Sequence, residues 1–335
     1  MTTLVLHAGA EYADGGAVHE QLSAWREELA AAGVVLPPGR SPHEWRETGH
    51  GLLQSGAAPA ATAAAGTWLR EATEAGARAA LLSSDALSDA LTSPEQAATL
   101  SRLATSFGVD VRVVVVVREQ VGYINSLYCK RVLALESARS FAEFATTSVP
   151  AHRFDYVASF GAVADTDGVD LVAVPYPDLL SVGAGTAVLR AAGLDGTGLP
   201  AETAAPAPVP GPVLVGAARL LHKRLRRLSM FHEHGKARLR ILVDRLAQRA
   251  AAASWESTTF WGWDVALRRA VEAEYGASNE MFAEFVWGTP WQEPFSTGKP
   301  QRVDLADLEP AVLHDVLTSV DTLVEGLAKG TLDLG

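Results

Sequence analysis

In VVVVVREQVGYINSLYCKR, residues 113–131, Arg118 follows five consecutive valines and Ser126 stands eight residues further on. A guanidinium fork and a hydroxyl brought to one point can hold a phosphate from two sides. A second polar group opens the chain: LVLHAGAEYADGGAVHEQL, residues 4–22, has the outline of a strand, a glycine-bearing loop and a helix start. Such a turn binds phosphate through backbone N–H groups and the positive end of the helix. A nucleotide triphosphatase loop also needs a lysine after its last glycine. Here Gly15 and Gly16 lead into Ala17, and the first lysine of the chain is Lys130, which disfavours an ATPase or GTPase. Asp85, after ALLSS, is placed either to take a proton or to cap the helix that starts near Ala86.

These groups need a scaffold that brings them together. Four short apolar runs read as strands buried on both faces of a parallel sheet: Thr3 to His7, Ala79 to Ser83, Val111 to Val117 and Val169 to Val174. The valine run is the clearest, since β-branched residues suit strands and resist helices. Helical patterns lie between the strands, at Val18 to Ala32, closed by Gly33, and at Ser93 to Phe107. The stretch 55–66 suits a flexible loop or the start of a helix. The chain therefore reads as α/β, a parallel central sheet flanked by helices. In such a sheet ligands bind beyond the carboxyl ends of the strands. That places His7 with loop 9–16, Ser83 to Asp85, Arg118, and Pro175 with Tyr176 along one edge. His7 at a strand end also suits a packed, hydrogen-bonded role.

Composition narrows the classes. At 335 residues with 48% apolar and 20% charged residues, the chain is expected to be a globular cytoplasmic protein without a membrane span or signal peptide. One cysteine, Cys129, excludes an intrachain disulfide and a thiolate zinc site, and no compact histidine spacing suggests a metal. A net charge of −11 argues against nucleic-acid binding. The charge is uneven: residues 218–249 hold ten Lys/Arg against two acids. That segment either attracts a phosphorylated or sulfated ligand or forms solvated helix faces, with Leu221, Leu225 and Leu228 on the buried stripe. LPAETAAPAPVPGP, 199–212, reads as an extended connector between an α/β core, 1–198, and a helical part, 213–335, packing on that core. Five of the eight tryptophans lie in the helical part, more as apolar anchors than as a pocket lining.

Taken in order, these motifs resemble the bacterial sulfotransferases that use 3′-phosphoadenosine 5′-phosphosulfate (PAPS). The arginine at a strand end with a serine eight residues on is similar to the family's 3′-phosphate element. LHAG at Leu6 to Gly9 and AVHEQL at Ala17 to Leu22 resemble the opening LHxGxxKTGTTxLQxxL. LLSSDALS resembles the turn that faces the acceptor, and FDYVASFGAVADTDGVDLVAVPY and EYGASNEMFAEFV resemble later elements. The resemblance covers roughly residues 4 to 290. It implies a P-loop-like sulfotransferase fold and transfer of a sulfuryl group from PAPS, leaving PAP, to a hydroxyl of a small molecule or glycan. It assigns Asp85 and His7 as candidate bases, with Glu11 of the altered loop a further one by a shift of role, and Gly9, Tyr12, Gly15, Gly16, Ala17, Arg118 and Ser126 to the nucleotide. It places His50, Ser84 and Tyr128 on the acceptor side.

The chain departs from the family in the loop. Positions matching K, T, G, T, T are Tyr12, Ala13, Asp14, Gly15 and Gly16, and Glu11 and Asp14 repel an anion. Loss of a single preorganised donor costs on the order of 10²–10³ in rate. Two readings follow. In one, backbone N–H groups still hold the 5′-phosphate and a cation from elsewhere, such as Arg131 or the basic segment, replaces the lysine. In the other, the fold binds or scaffolds without PAPS chemistry, and a protein partner or a second copy of the chain is expected.

Overall fold

The computed structural model describes residues 1–9, 15–53, 57–147, 154–194, 199–200, 210–253, 255, 259–291 and 308–332. These form two compact units. The first comprises 1–119, 151–207 and 273–296; the second comprises 120–150, 208–272 and 297–335. The units interleave along the chain, an arrangement that composition read in one dimension has no means of showing.

The first unit is built on five parallel strands, β1 (Thr3–Ala8), β2 (Val34–Val35), β3 (Ala79–Ser84), β4 (Asp110–Val117) and β5 (Val169–Pro175), in the order β2-β3-β1-β4-β5. Four of them fall within a residue or so of the apolar runs. The additional edge strand β2 is two residues long, too short to carry a periodic signal. Register is direct: His7 lies opposite Ser83 on β3 and Val114 on β4, and Val117 opposite Pro175 on β5. Leu4, Val5 and Leu6 are fully buried, as are Val113 to Val115, so β1 and β4 are covered on both faces.

Winding reverses at β1. From β1 the chain goes to β2 and β3 on one side, then crosses to β4 and β5 on the other. In open parallel sheets ligands bind beyond the carboxyl ends of the strands at such a reversal, here between β1 and β4.

Helices follow the strands with local differences from the sequence pattern. The segment expected as one helix from Val18 is two, Gly15–Ala24 and Arg26–Ala31, interrupted at Trp25. Gly33 then turns the chain with φ +79°, a conformation that suits glycine. Helix Pro94–Phe107 starts after Ser93, whose extended backbone makes no side-chain cap bond, and ends at Gly108 in the left-handed region. Helix Pro59–Glu74 occupies most of the alanine-rich stretch.

The second unit is helical. Leu221, Leu225, Leu239, Leu242 and Leu246 join Val316 and Val320 in its core. Leu228, expected on the same stripe, is 52% exposed because helix Pro212–Arg227 ends one residue before it. Trp255 is anchored by its indole N–H, which donates to Asp315 Oδ2 at 2.7 Å, and Trp263 donates to the Val121 carbonyl at 2.9 Å. In the first unit Trp287 donates to the Ala173 carbonyl at 2.9 Å. All three rings anchor packing, as the apolar reading expects.

Candidate functional site

The carboxyl edge of the first unit gathers polar groups from each central strand. β4 continues two residues past the level of Ala8, so Arg118 leaves the sheet beyond the end of β1. Its backbone is pinned by Tyr156. The Tyr156 hydroxyl accepts from the Arg118 N–H at 3.1 Å and donates to the Arg118 carbonyl at 2.6 Å. Burial pushes the Tyr156 phenol up, which keeps it protonated for the second of these bonds. Tyr156 opens helix Tyr156–Ala164, whose first turn is capped by Asp155 accepting from the Ala158 N–H at 2.9 Å. Ser278, on helix Val265–Trp287, donates to the same Asp155 carboxylate.

The Arg118 side chain is half-buried, with its guanidinium carbon 4.1 Å from the centroid of the Tyr176 ring. Among the described residues no carboxylate pairs with it. A cation held over an aromatic face keeps its N–H donors in plane and available to an anion.

His7 is fully buried and shares a hydrogen bond of 2.8 Å between Nδ1 and Ser83 Oγ, as their register on β1 and β3 dictates. Its Nε2 has no hydrogen-bond partner among the described residues. Burial lowers its pKa to about 4, so the ring is neutral near pH 7 and has little pull on a proton there. Gly9, the next residue but one, is buried and its carbonyl accepts from Ser88 Oγ at 2.6 Å.

Asp85 follows β3 and makes no side-chain cap bond to the helix Ala86–Leu91. Its carboxylate instead accepts from Arg46 Nη2, at 3.2 Å to Oδ1 and 3.4 Å to Oδ2, with both side chains nearly half exposed. Arg46 comes from helix Pro42–Leu53, and nothing in its local sequence marked it. Ser84 is buried at the end of β3, and His50 is half-buried in the last turn of helix Pro42–Leu53.

Glu11 and Tyr12 lie outside the described residues. Gly15, Gly16 and Ala17 begin helix Gly15–Ala24, whose first turn contains no acidic residue, and a Cβ at Gly16 would meet nothing within 4 Å. Ser126 and Tyr128 belong to the second unit, on helix Gln120–Leu133. Ser126 is half-buried. Tyr128 is enclosed by Phe141, Phe144 and Phe260 at centroid separations of 5.2, 5.3 and 5.4 Å, and its hydroxyl donates to the Arg139 carbonyl at 3.0 Å. Cys129 is buried beside it in sequence. Among the described residues no three His, Cys, Asp or Glu side chains are grouped to hold a metal ion, and no helix is long and apolar enough to cross a membrane.

Fold and site together define an α/β protein with an all-parallel five-stranded sheet whose polar groups collect at the carboxyl edge. No family model, curated protein or solved structure matches the chain.

Proposed function

We propose that the protein is a sulfotransferase-like enzyme of the P-loop-like fold, transferring a sulfuryl group from PAPS to a hydroxyl of a small molecule or glycan. The observation that carries this reading is the placement of Arg118. It stands at the carboxyl end of β4, next to β1 where the strand order reverses, with its cation on Tyr176 and no carboxylate partner among the described residues. In the reaction the acceptor oxygen forms a bond to sulfur as the bond from sulfur to the 5′-phosphate oxygen breaks. The acceptor proton passes to Asp85, and 3′,5′-diphosphoadenosine (PAP) leaves. Asp85 is favoured over His7 as the base because its carboxylate is partly exposed beyond β3, whereas the His7 ring is fully buried and bonded to Ser83. The second reading, a nucleotide-binding or scaffold protein without turnover, is favoured by the loop, where Tyr12 and Asp14 replace the lysine and glycine of the family pattern.

Calorimetric titration with PAP tests the site. Native protein is expected to bind and Arg118→Ala to lose binding. No binding by either at millimolar PAP rejects both the enzyme reading and a retained nucleotide site. Binding without transfer to phenolic or sugar hydroxyls selects the second reading.

A further inference from the structure

The second unit contains a cavity of about 710 Å³ lined by the end of helix Gln120–Leu133, residues from 136–144, and the last turns of helix Pro212–Arg227. Five cations face it: Arg131, Arg139, Lys223, Arg226 and Arg227. Two carboxylates also line it, and both are engaged. Glu136 lies 3.5 Å from Arg131. Glu143 accepts from the Ser140 hydroxyl at 2.7 Å and the Ser140 N–H at 2.8 Å, and those bonds hold it below the usual carboxylate range.

Lys223, Arg226 and Arg227 fall at i, i+3 and i+4, which puts like charges on one helix face where they repel. Arg224, beside them in sequence, pairs with Asp321 at 3.0 Å. Lys223, Arg226 and Arg227 have no such partner among the described residues. Cations in a last helical turn do complement the dipole, but each helix end supplies only roughly half a negative charge. Two helix ends therefore offset about one charge, against a formal excess of three positive charges in the lining. The volume lies in the range of small-molecule sites, roughly 300–1,000 Å³.

We propose that this cavity binds a small molecule carrying two or more phosphate or sulfate groups. Several forked donors set around a space of this size suit separated oxyanions better than a single one. The site shares no residue with the carboxyl edge of the first unit and stands independently of the function proposed there.

The test is calorimetric titration of the full chain with tripolyphosphate and, separately, sucrose octasulfate at physiological salt. Native protein is expected to bind at least one probe, and the tighter of the two identifies the oxyanion. Arg226→Gln with Arg227→Gln should weaken that binding at least about tenfold, while Arg226→Lys with Arg227→Lys should retain much of it. Arg118→Ala should leave it unchanged, which separates this site from the PAP site. Absence of binding by both probes at millimolar concentration overturns the proposal. So does equal weakening by Arg238→Gln with Arg240→Gln, exposed cations outside the cavity, since that result means diffuse attraction.

Discussion

The Arg118 guanidinium sits 4.1 Å over the Tyr176 ring, joining the residue that closes β4 to the first residue after β5. Neighbouring parallel strands thus supply the cation and the surface that aims it. Tyr156 fixes the backbone of the same arginine through two hydrogen bonds. The side chain is held at both ends, which reduces the entropy lost when it binds an anion.

Arg118→Lys should retain only part of the PAP affinity, because an ammonium offers no planar fork. Tyr176→Leu should weaken binding by a few-fold, the equivalent of about 0.5–1 kcal/mol for an exposed cation–π contact. Titration calorimetry reads both. Affinity in Arg118→Lys equal to the native value would show that a point charge suffices.

His7 couples stability to pH. Its folded pKa, about 4, lies below the ordinary 6.5, so the unfolded chain binds the proton more tightly between these values. The contribution is complete above pH 6.5 and is lost as pH falls toward 4, amounting to about 3 kcal/mol. Urea unfolding near neutral pH and at about pH 4.5 should show native protein losing more stability than His7→Gln over that interval. Parallel losses in the two proteins would mean that His7 is solvated in the folded state.

The Arg46–Asp85 pair is nearly half exposed, so it should add little stability. Arg46→Ala is expected to cost less than about 1 kcal/mol in thermal or denaturant unfolding. Asp85→Asn should abolish sulfuryl transfer while leaving PAP affinity intact. Undiminished transfer in Asp85→Asn would remove it as the base.

Gly51 of helix Pro42–Leu53 packs on helix Pro59–Glu74 so closely that a Cβ would overlap the Ala61 carbonyl. Gly51→Ala should therefore destabilise by about 1–3 kcal/mol, the usual range for overpacking. In the facing helix a Cβ at Gly66 meets nothing, and Gly66→Ala should stabilise by about 0.4–1 kcal/mol. Opposite shifts in melting temperature are the expected signature.

Tyr128→Phe removes the hydrogen bond to the Arg139 carbonyl within a closed aromatic cluster. It should cost about 1 kcal/mol of stability. If Tyr128 acts through packing, the KM for an acceptor stays constant, and a raised KM would instead return the residue to the acceptor side.

The sheet was legible in the residues because its signal is local. Five successive valines demand a strand covered on both faces wherever they stand, and the runs at 3–7, 79–83 and 169–174 carry the same signal. Candidate residues after each strand were legible for the same reason, since chain direction in a parallel sheet puts every strand's end on one edge. Partners were not. Arg46 is 39 residues from Asp85 and sits on a helix whose pattern has no reason to mark it. Trp25 interrupts a helix that periodicity runs straight through, and Leu228 falls past a helix end that the leucine spacing overshoots.

The amino-acid sequence by itself determined the strand positions, the class of the sheet, the carboxyl-edge location of Arg118, His7 and Asp85, and the absence of lysine from 10–14. Each of these depends on residue type and near neighbours. Tertiary structure alone decided the strand order, the burial that keeps His7 neutral, the Arg46–Asp85 and Arg118–Tyr176 pairs, and the cavity lined by Arg226 and Arg227. These depend on segments distant in the chain meeting in space, and packing energy, which selects those meetings, is not written into any single stretch.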